Sequence, residues 1–275
     1  MMPTLLNLSG IRIDIEPITL VLAWLVWSFL FWRSLRDLAI PEEKIFHMMF
    51  FATLAGFLTA RIVFVVMHWP LFSHTILRIF TLWIEPGMAV IPMLMSVVAL
   101  LMTQSRLFGI PRSYTIDAFA QSFGIAYIIG SLGSLASGFI VGKTTTLPFG
   151  VRFVTADGMR HPVQLYEILF LVIVLLILNA LFVYRKPVTA RKHGMFAVWF
   201  FLLFSIGMFF IEMVKDFSVY WGSLTANQWM LVGIGSESTG VLFVWGHAGK
   251  TIKMIARRIY GAISQRFIRK NQGTA

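Results

Sequence analysis

A succession of long apolar segments limits this chain to one kind of fold. A helix that crosses the hydrocarbon core of a bilayer needs about 20 mostly apolar residues. Only 13% of this 275-residue chain is charged and 58% is hydrophobic, which is more apolar surface than a soluble chain of this length hides from water. We mark seven spans, near residues 18–33, 46–68, 87–104, 115–142, 162–184, 194–214 and 227–247. The sequence therefore predicts an all-α integral membrane protein.

The segments outside these spans predict two further features. Residues 69–87 are interrupted by prolines and by polar and charged side chains, so we expect an interfacial or re-entrant segment there. We divide the chain into a polytopic membrane domain, residues 1–247, and a basic tail, residues 248–275. The tail interleaves basic and apolar residues, which suits an amphipathic helix on anionic lipid better than nucleic-acid binding.

The distribution of basic residues predicts the orientation of the chain. Lys and Arg are concentrated in the tail and at one set of span ends, which we place in the cytoplasm. The N-terminus is then outside and the C-terminus inside. Fewer basic residues fall on the outer side: Arg12, Arg78, Lys143, Arg152, Arg160 and Lys215.

Charged residues within the spans are few, and each is costly unless it is paired or hydrated. Arg61, Glu167 and Glu212 belong to three different spans but fall at the same outer depth. Two interpretations stay open: a structural ion-pair cluster, or a polar cavity that receives a lipid headgroup. Glu237, within GIGSESTG near the middle of the seventh span, marks either a kinked, hydrated stretch or a close helix contact with a neutral carboxyl group.

The stretch RHPVQLYE, residues 160–167, is the sharpest local pattern. Pro162 suits the first turn of a helix, and Gln164 and Glu167 then share one helix face. From the residues alone, an ordinary helix start with a hydrogen-bonding face explains the stretch.

The chain has no cysteine, which excludes Cys-ligated metals and thiolate nucleophiles, and we expect no metal or cofactor.

A family resemblance gives this stretch a second meaning. RHPVQLYE is similar to the His-Pro-x-Gln-Leu-Tyr-Glu element of the bacterial prolipoprotein diacylglyceryl transferases, which are seven-span membrane enzymes. The resemblance covers roughly residues 15 to 245, in the same order along the chain. Its other elements are ATLAGFLTARIVFVV, WIEPGM, LPFGVRF, FFIEMVKD and LTANQWM.

The resemblance implies a reaction and a set of site residues. The family moves the diacylglyceryl group of phosphatidylglycerol onto a cysteine thiol of a secreted lipoprotein precursor, releasing glycerol phosphate. This implies an inner-membrane protein with about seven helices and a small periplasmic head. As catalytic candidates we name His161, as a candidate base, together with Glu167 and Glu212. For lipid or phosphate binding we assign Arg61, Lys143, Arg152, Gln164, Tyr166 and Lys215.

The chain also departs from the family pattern where the family carries charge. In GSLGSLASGFIVG, residues 130–142, Ser131 stands for an Arg, Ser134 and Ser137 for two Asn, and Phe139 for a Glu. Met208 stands for a second Arg, and residues 91–93 replace His-Gly-Gly. Gly130, Ser134 and Gly138 keep a small-residue stripe suited to helix packing.

Three hypotheses about function follow from these matches and departures. The chain is a divergent transferase that handles phosphatidylglycerol-type lipid, a non-catalytic relative that binds lipid or a precursor or acts as an interaction subunit, or a small-solute transporter. One charge-stabilising donor is commonly worth about 10²–10³-fold in rate, so the substitutions favour altered or absent chemistry. The transporter is the weakest of the three because the chain lacks internal repeats.

Overall fold

The computed structural model describes residues 4–8, 11–73, 75–81, 87–138, 140–154, 156–183, 193–216 and 219–245. A two-stranded antiparallel hairpin, β1 (Thr4–Leu8) and β2 (Ile11–Asp14), leads directly into the first helix. The long helices are α1 (Ile15–Arg36), α2 (Glu42–Met67), α4 (Val90–Leu107), α5 (Arg112–Ser137), α6 (Val163–Leu178), α7 (Met195–Glu212) and α8 (Ala226–Trp245). Between them lie the short helix α3 (Trp69–Phe72), a 3₁₀ turn (Ile76–Ile79), a π turn (Asn179–Val183) that extends α6, and the hairpin β3 (Tyr220–Trp221) and β4 (Leu224–Thr225).

Six of the described helices are long and apolar enough to cross a membrane: α1, α2, α4, α5, α6 with its π turn, and α7. They match the first six predicted spans. The helix at the seventh, α8, has 20 residues and so the length, about 30 Å, to span. Its polar residues, from Asn227 to the GSESTG stretch, keep it from counting among the apolar six. The chain is thus a multi-pass membrane protein, and the seventh span stays a prediction.

Prolines mark where several helices begin. Pro41, Pro111 and Pro162 stand immediately before α2, α5 and α6. A proline lacks the N–H that a helix interior requires, but the first residues of a helix have no partner for theirs. The hydrogen bonds lost to these prolines are therefore ones that the helices would not have made.

The structure changes one predicted boundary and agrees with the prediction for another segment. The fourth span was expected to run over residues 115–142, but α5 ends at Ser137 because Gly138 adopts a left-handed conformation (φ 62°) that closes the helix. Residues 69–87 do not form a span, as expected: the described part contains only α3 and the 3₁₀ turn. The basic tail lies outside the described residues.

The helices pack through large apolar side chains and, at some contacts, through a glycine that lets two helices approach closely. α1 packs along α5, α2 along α4, and α7 along α8. The α1–α5 contact requires Gly133, because a Cβ there would overlap the Thr19 side chain. Phe31, Phe200 and Phe204 are fully buried between the helices. Large apolar side chains also cover the outer surface of the bundle, as expected where acyl chains replace water.

Candidate functional site

A buried ion cluster lies where α5 and α7 end and α6 and α8 begin. We call this end of the bundle the site end. The Lys215 ammonium lies between two carboxylates, with Nζ 2.7 Å from Glu167 Oε1 and 3.1 Å from Glu212 Oε2. The exposed fractions of the side chains are 13%, 5% and 3% for Lys215, Glu167 and Glu212. These three residues form the central cluster.

Polar groups from two other helices satisfy the remaining carboxylate oxygens. Ser131 Oγ on α5 donates a hydrogen bond to Glu167 Oε2 (3.2 Å). Asn227 Nδ2 on α8 donates to Glu212 Oε1 (2.7 Å). Four helix ends are therefore joined by one network, which is how buried charge becomes tolerable in a membrane protein.

Backbone pairing positions Lys215 in this network. The Lys143 N–H donates to Val214 O (2.8 Å), and the Asp216 N–H donates to Val141 O (3.0 Å). Gly142 lies opposite Lys215 in this short bridge, and a Cβ on Gly142 would come within 2.4 Å of the His161 carbonyl oxygen. Only glycine therefore lets the loop after α5 pass between His161 and the end of α7.

An ion pair on the outer side holds the same paired segments together, those around Gly142 and Lys215. Arg160 Nη1 lies 2.7 Å from Asp216 Oδ2 and 3.3 Å from the Gly142 carbonyl oxygen. Arg160 precedes His161 and Asp216 follows Lys215, so the pair holds the two neighbouring site residues in register.

The central cluster carries a net negative formal charge. Two carboxylates and one ammonium sum to a formal charge of −1. Burial alone lowers the pKa of Lys215, but the facing Glu167, Tyr127 and Glu212 outweigh it and hold that pKa well above its usual value. Lys215 is therefore charged and already engaged, so it binds a phosphate only by giving up a buried carboxylate.

The residues of RHPVQLYE divide between two environments. Gln164 and Glu167 are both buried on one face of α6, as predicted. Gln164 Nε2 donates to the Ile140 carbonyl oxygen (2.5 Å), while its Oε1 accepts no hydrogen bond from the described residues. His161 and Tyr166 are half-buried, and His161 Nδ1 lies 3.0 Å from the Tyr166 hydroxyl oxygen.

Arg61 has other hydrogen-bond partners than the carboxylates that its predicted depth in the membrane indicated. Its guanidinium donates to three backbone carbonyls, those of Ile79 (2.8 Å), Arg78 (3.1 Å) and Gly87 (3.1 Å), and lies over the Phe72 ring. Among the described residues, it makes no ion pair with Glu167 or Glu212. Arg61 therefore ties the irregular segment between α2 and α4 to the bundle, and its assignment to lipid binding stays a prediction.

The two remaining predicted cations lie on the loop between α5 and α6. Lys143 and Arg152 are both exposed. Arg152 borders a cavity of about 300 Å³ together with residues of α5, the loop and α6. Neither cation pairs with a carboxylate among the described residues.

The described positions at which the chain departs from the family pattern are uncharged and buried, except for Ser134 and Met93, which are half-buried. Ser131 is 6% exposed and Met208 3% exposed. Ile91 and Pro92 are also buried, whereas Phe139 lies outside the described residues. In the part of the chain that the structure describes, no three His, Asp or Glu residues are grouped to hold a metal ion.

Sequence reasoning named Lys215 only as a lipid- or phosphate-binding residue and missed Asn227. It placed Arg61 beside the two carboxylates, but the structure places Lys215 there. FFIEMVKD contained a signal for this ion pair, because Lys215 follows Glu212 by three residues and lies just beyond the end of α7. Asn227 was overlooked because one amide in a helix start carries no charge signal.

The fold and the cluster define a class: a polytopic α-helical membrane protein with a buried charged site at one end of its bundle. The family model for prolipoprotein diacylglyceryl transferase matches residues 3–245. The chain belongs to the prolipoprotein diacylglyceryl transferase family.

Curated relatives agree with this assignment. The phosphatidylglycerol–prolipoprotein diacylglyceryl transferase of Ligilactobacillus salivarius is 25% identical over 88% of this chain and 92% of its own length. The enzyme of the same name from a Wolbachia strain of Drosophila simulans is 26% identical over 89% and 94% of the two chains. That of Clostridioides difficile is 26% identical over 83% and 89%. The similarity thus spans nearly the whole fold.

Proposed function

We propose that this chain binds a phosphatidylglycerol-type lipid at its site end and does not carry out the thiol transfer typical of its family. One observation carries the proposal: the Lys215 ammonium is held between Glu167 and Glu212. Ser131 and Met208, at which the family resemblance expects arginines, are buried and neutral. The site end therefore offers a phosphodiester no uncommitted buried cation from these positions.

The physical argument concerns where charge develops in the reaction. Transfer of the diacylglyceryl group to a thiol makes glycerol phosphate the leaving group, so a catalyst must stabilise negative charge on the phosphate as it departs. A cluster of formal charge −1 works against that charge. Each missing charge-stabilising donor commonly costs about 10²–10³-fold in rate, and two such positions are substituted here.

Binding a lipid headgroup needs fewer charged groups than the transfer reaction does. The exposed Lys143 supplies a cation for the phosphodiester, and its backbone carbonyl accepts a hydrogen bond from the His161 N–H (3.1 Å). The His161–Tyr166 pair then supplies polar contacts for the headgroup. In this proposal the site end faces the outer leaflet of the bacterial inner membrane, with the N-terminus outside and the tail inside.

Complementation tests the proposal. The chain is expressed in a strain depleted of its own transferase, and lipidation of a lipoprotein precursor is followed by its mobility on a gel. We expect membrane-inserted protein without lipidation or growth. Growth with lipidated precursor would overturn the proposal.

Restoring the missing charge gives a matched variant. Ser131→Arg with Met208→Arg returns guanidinium groups to both positions, one of them next to Glu167. Any lipidation that this double variant gains over the parent chain supports our account of the loss. Because buried arginines can prevent folding, membrane insertion of the variant is measured alongside.

His161 favours a second candidate, a divergent transferase. The contact between Nδ1 and the Tyr166 hydroxyl holds the imidazole so that Nε2 is left for proton transfer. In this alternative, lipidation in the complemented strain is present in the parent chain and lost in His161→Gln. The same experiment therefore separates the two functions.

A further inference from the structure

α8 has one face packed in the bundle and one face that no described residue covers. The buried side chains recur at helical spacing along α8: Leu231, Ile234 and Ser238. Gly235 belongs to this inner face, because a Cβ there would lie 2.8 Å from Ser205 Oγ of α7. On the outer side, a Cβ at Gly233 or Gly240 would meet no described atom within 4 Å. The outer face of α8 is therefore open.

The open face of α8 is polar, whereas a lipid-facing surface is normally apolar. Ser236, Glu237 and Thr239 are all exposed. The hydroxyl groups of Ser236 and Thr239 donate to carbonyl oxygens of their own helix, those of Gly233 (2.8 Å) and Gly235 (2.8 Å). The Glu237 carboxyl group makes no ion pair or hydrogen bond with the described residues. Glu237 is therefore the polar group on this face that α8 does not satisfy itself.

Glu237 lies at the depth where an unpaired carboxyl group is least tolerable. It is near the middle of α8, which continues as one helix from Ala226 to Trp245. With α8 as the predicted seventh span, this part of the helix lies in the hydrocarbon core. A carboxyl group there is costly unless it meets a cation or a hydrogen-bond donor. Acyl chains supply neither, so lipid alone does not satisfy the open face of α8.

A cavity of about 270 Å³ lies beside Glu237, between α8, α4 and α7. Its apolar walls are formed by Leu94, Met95, Val98, Ala99, Phe201 and Ile234. Residues 94–99 are in the middle of α4 (Val90–Leu107), so the cavity lies at mid-helix on both α4 and α8. Among the described residues, Glu237 is the only charged group that lines it. We call this cavity, together with the open face of α8, the α4–α8 groove.

The chemistry of the α4–α8 groove fits a basic side chain. A lysine has an apolar stem of four methylene groups that ends in an ammonium group. A volume of 270 Å³ corresponds to about nine water molecules in the liquid, which is room for the stem and its charged end. The stem then packs against Met95 and Ala99, and the ammonium group pairs with Glu237.

The basic side chain has to come from another protein. Within the described spanning helices, Arg61 is the only basic residue away from the helix ends, and it donates to three backbone carbonyls. A second copy in the same orientation would bring Glu237 against Glu237, two like groups. Gly233 and Gly240 lie four residues before and three residues after Glu237, so the backbone of a partner helix can approach closely.

We propose that the α4–α8 groove is the docking site for one transmembrane helix of another membrane protein, whose mid-membrane lysine or arginine pairs with Glu237. Asn227, through which α8 contacts the central cluster, is separated from Glu237 by about 15 Å of helix. The docking site is therefore distinct from the site end. The inference rests on α8 as a span and does not depend on the proposed function.

Energy transfer in liposomes tests the proposal with the full-length protein. The chain contains no cysteine, so a single label can be introduced. Leu107→Cys, at the exposed end of α4, carries a donor fluorophore. The labelled protein is reconstituted in phosphatidylcholine with poly-leucine transmembrane peptides of about 20 residues that carry an acceptor. Three peptides differ only in the central residue, which is lysine, leucine or glutamate.

We expect half-maximal energy transfer with the lysine peptide at an about tenfold lower peptide-to-lipid ratio than with the leucine peptide, the scale of one polar contact between helices in a membrane. Glu237→Gln keeps the size of the side chain and should remove this preference. Glu237→Lys should reverse it, so that the glutamate peptide binds better than the lysine peptide. A gain of binding in this variant cannot come from misfolding.

A second pair of variants tests the cavity with Glu237 in place. Ala99→Phe fills the cavity from an exposed position of α4 and should abolish the preference for the lysine peptide. Thr103→Phe is the matched control, because it adds the same ring one turn further along the exposed face of α4, outside the cavity. It should leave the preference unchanged.

Three results would overturn the proposal. Equal energy transfer, or none, with the lysine and leucine peptides would mean that the groove does not recognise charge. Equal losses in Ala99→Phe and Thr103→Phe would mean that the cavity does not receive the side chain. Energy transfer between donor- and acceptor-labelled copies of the chain that the lysine peptide does not displace would mean that a second copy covers α8. None of these results bears on lipidation in the complemented strain.

Discussion

Removing the Lys215 ammonium should destabilise the protein more than almost any other single change at its surface or site. In Lys215→Met the carboxylates of Glu167 and Glu212, 5% and 3% exposed, face each other without a cation. Breaking a buried ion pair by removing one partner costs about 3–5 kcal/mol. The hydrogen bonds from Ser131 and Asn227 remain but do not neutralise the charge. We therefore expect a loss of about 3–5 kcal/mol in the free energy of unfolding.

The assay is reversible unfolding in mixed micelles, followed by tryptophan fluorescence. Lys143→Met is the matched control, because this exposed lysine makes no ion pair with the described residues and should change stability by no more than about 0.5 kcal/mol. The triple variant Lys215→Met, Glu167→Gln, Glu212→Gln should regain most of the loss, since replacing all partners of a buried pair is often nearly neutral.

The same cluster sets an alkaline limit on stability. The pKa of Lys215 is raised above its ordinary 10.5 in the folded protein. The contribution of the charged Lys215 to the free energy of unfolding is therefore complete below pH 10.5 and is lost only as the pH rises through the higher folded value.

The mutant series has two refuting outcomes. One is a loss below about 1 kcal/mol in Lys215→Met at neutral pH, and the other is a triple variant no more stable than the single one.

Three further changes test other parts of the structure. Arg61→Leu removes three hydrogen bonds to backbone carbonyls, so residues 76–81 should be cleaved faster by protease while the transmembrane bundle stays resistant. Gly142→Ala brings a Cβ against the His161 carbonyl and should lower the free energy of unfolding by about 1–3 kcal/mol. An unchanged free energy of unfolding would contradict the close contact between Gly142 and His161. Gly133→Ala should destabilise the α1–α5 contact by a similar amount, and Thr19→Gly in the same chain should recover stability, whereas Thr19→Gly alone should not improve it.

Periodicity and composition predict most of this fold because each transmembrane helix must satisfy its own backbone hydrogen bonds. The first six predicted spans correspond to helices, and the inward face of α6 with Gln164 and Glu167 follows from their spacing. The end of α5 was placed too late because residues 139–142 are apolar enough to extend a span. The left-handed Gly138 ends the helix before them.

The site was predicted less completely, for a geometric reason. Hydropathy gives the depth of a residue in the membrane but not its position around the bundle. The sequence predicts one depth for Arg61 and Glu167, yet Arg61 bonds to the segment between α2 and α4, and Lys215 takes the place beside Glu167. The choice depends on the β-bridge between Gly142 and Lys215, a long-range contact that no local pattern encodes.

The central claim is that lipid binding persists at a site that no longer supports transfer to a thiol. The most direct test uses purified chain in phosphatidylglycerol nanodiscs with a cysteine-containing precursor peptide, and the Ligilactobacillus salivarius relative as the positive control. The mass of the peptide is followed by mass spectrometry, and released glycerol phosphate is measured in parallel. The account predicts unmodified peptide and no glycerol phosphate with this chain, under conditions in which the relative modifies the peptide. Peptide carrying a diacylglyceryl group, with an equal amount of glycerol phosphate, would contradict it.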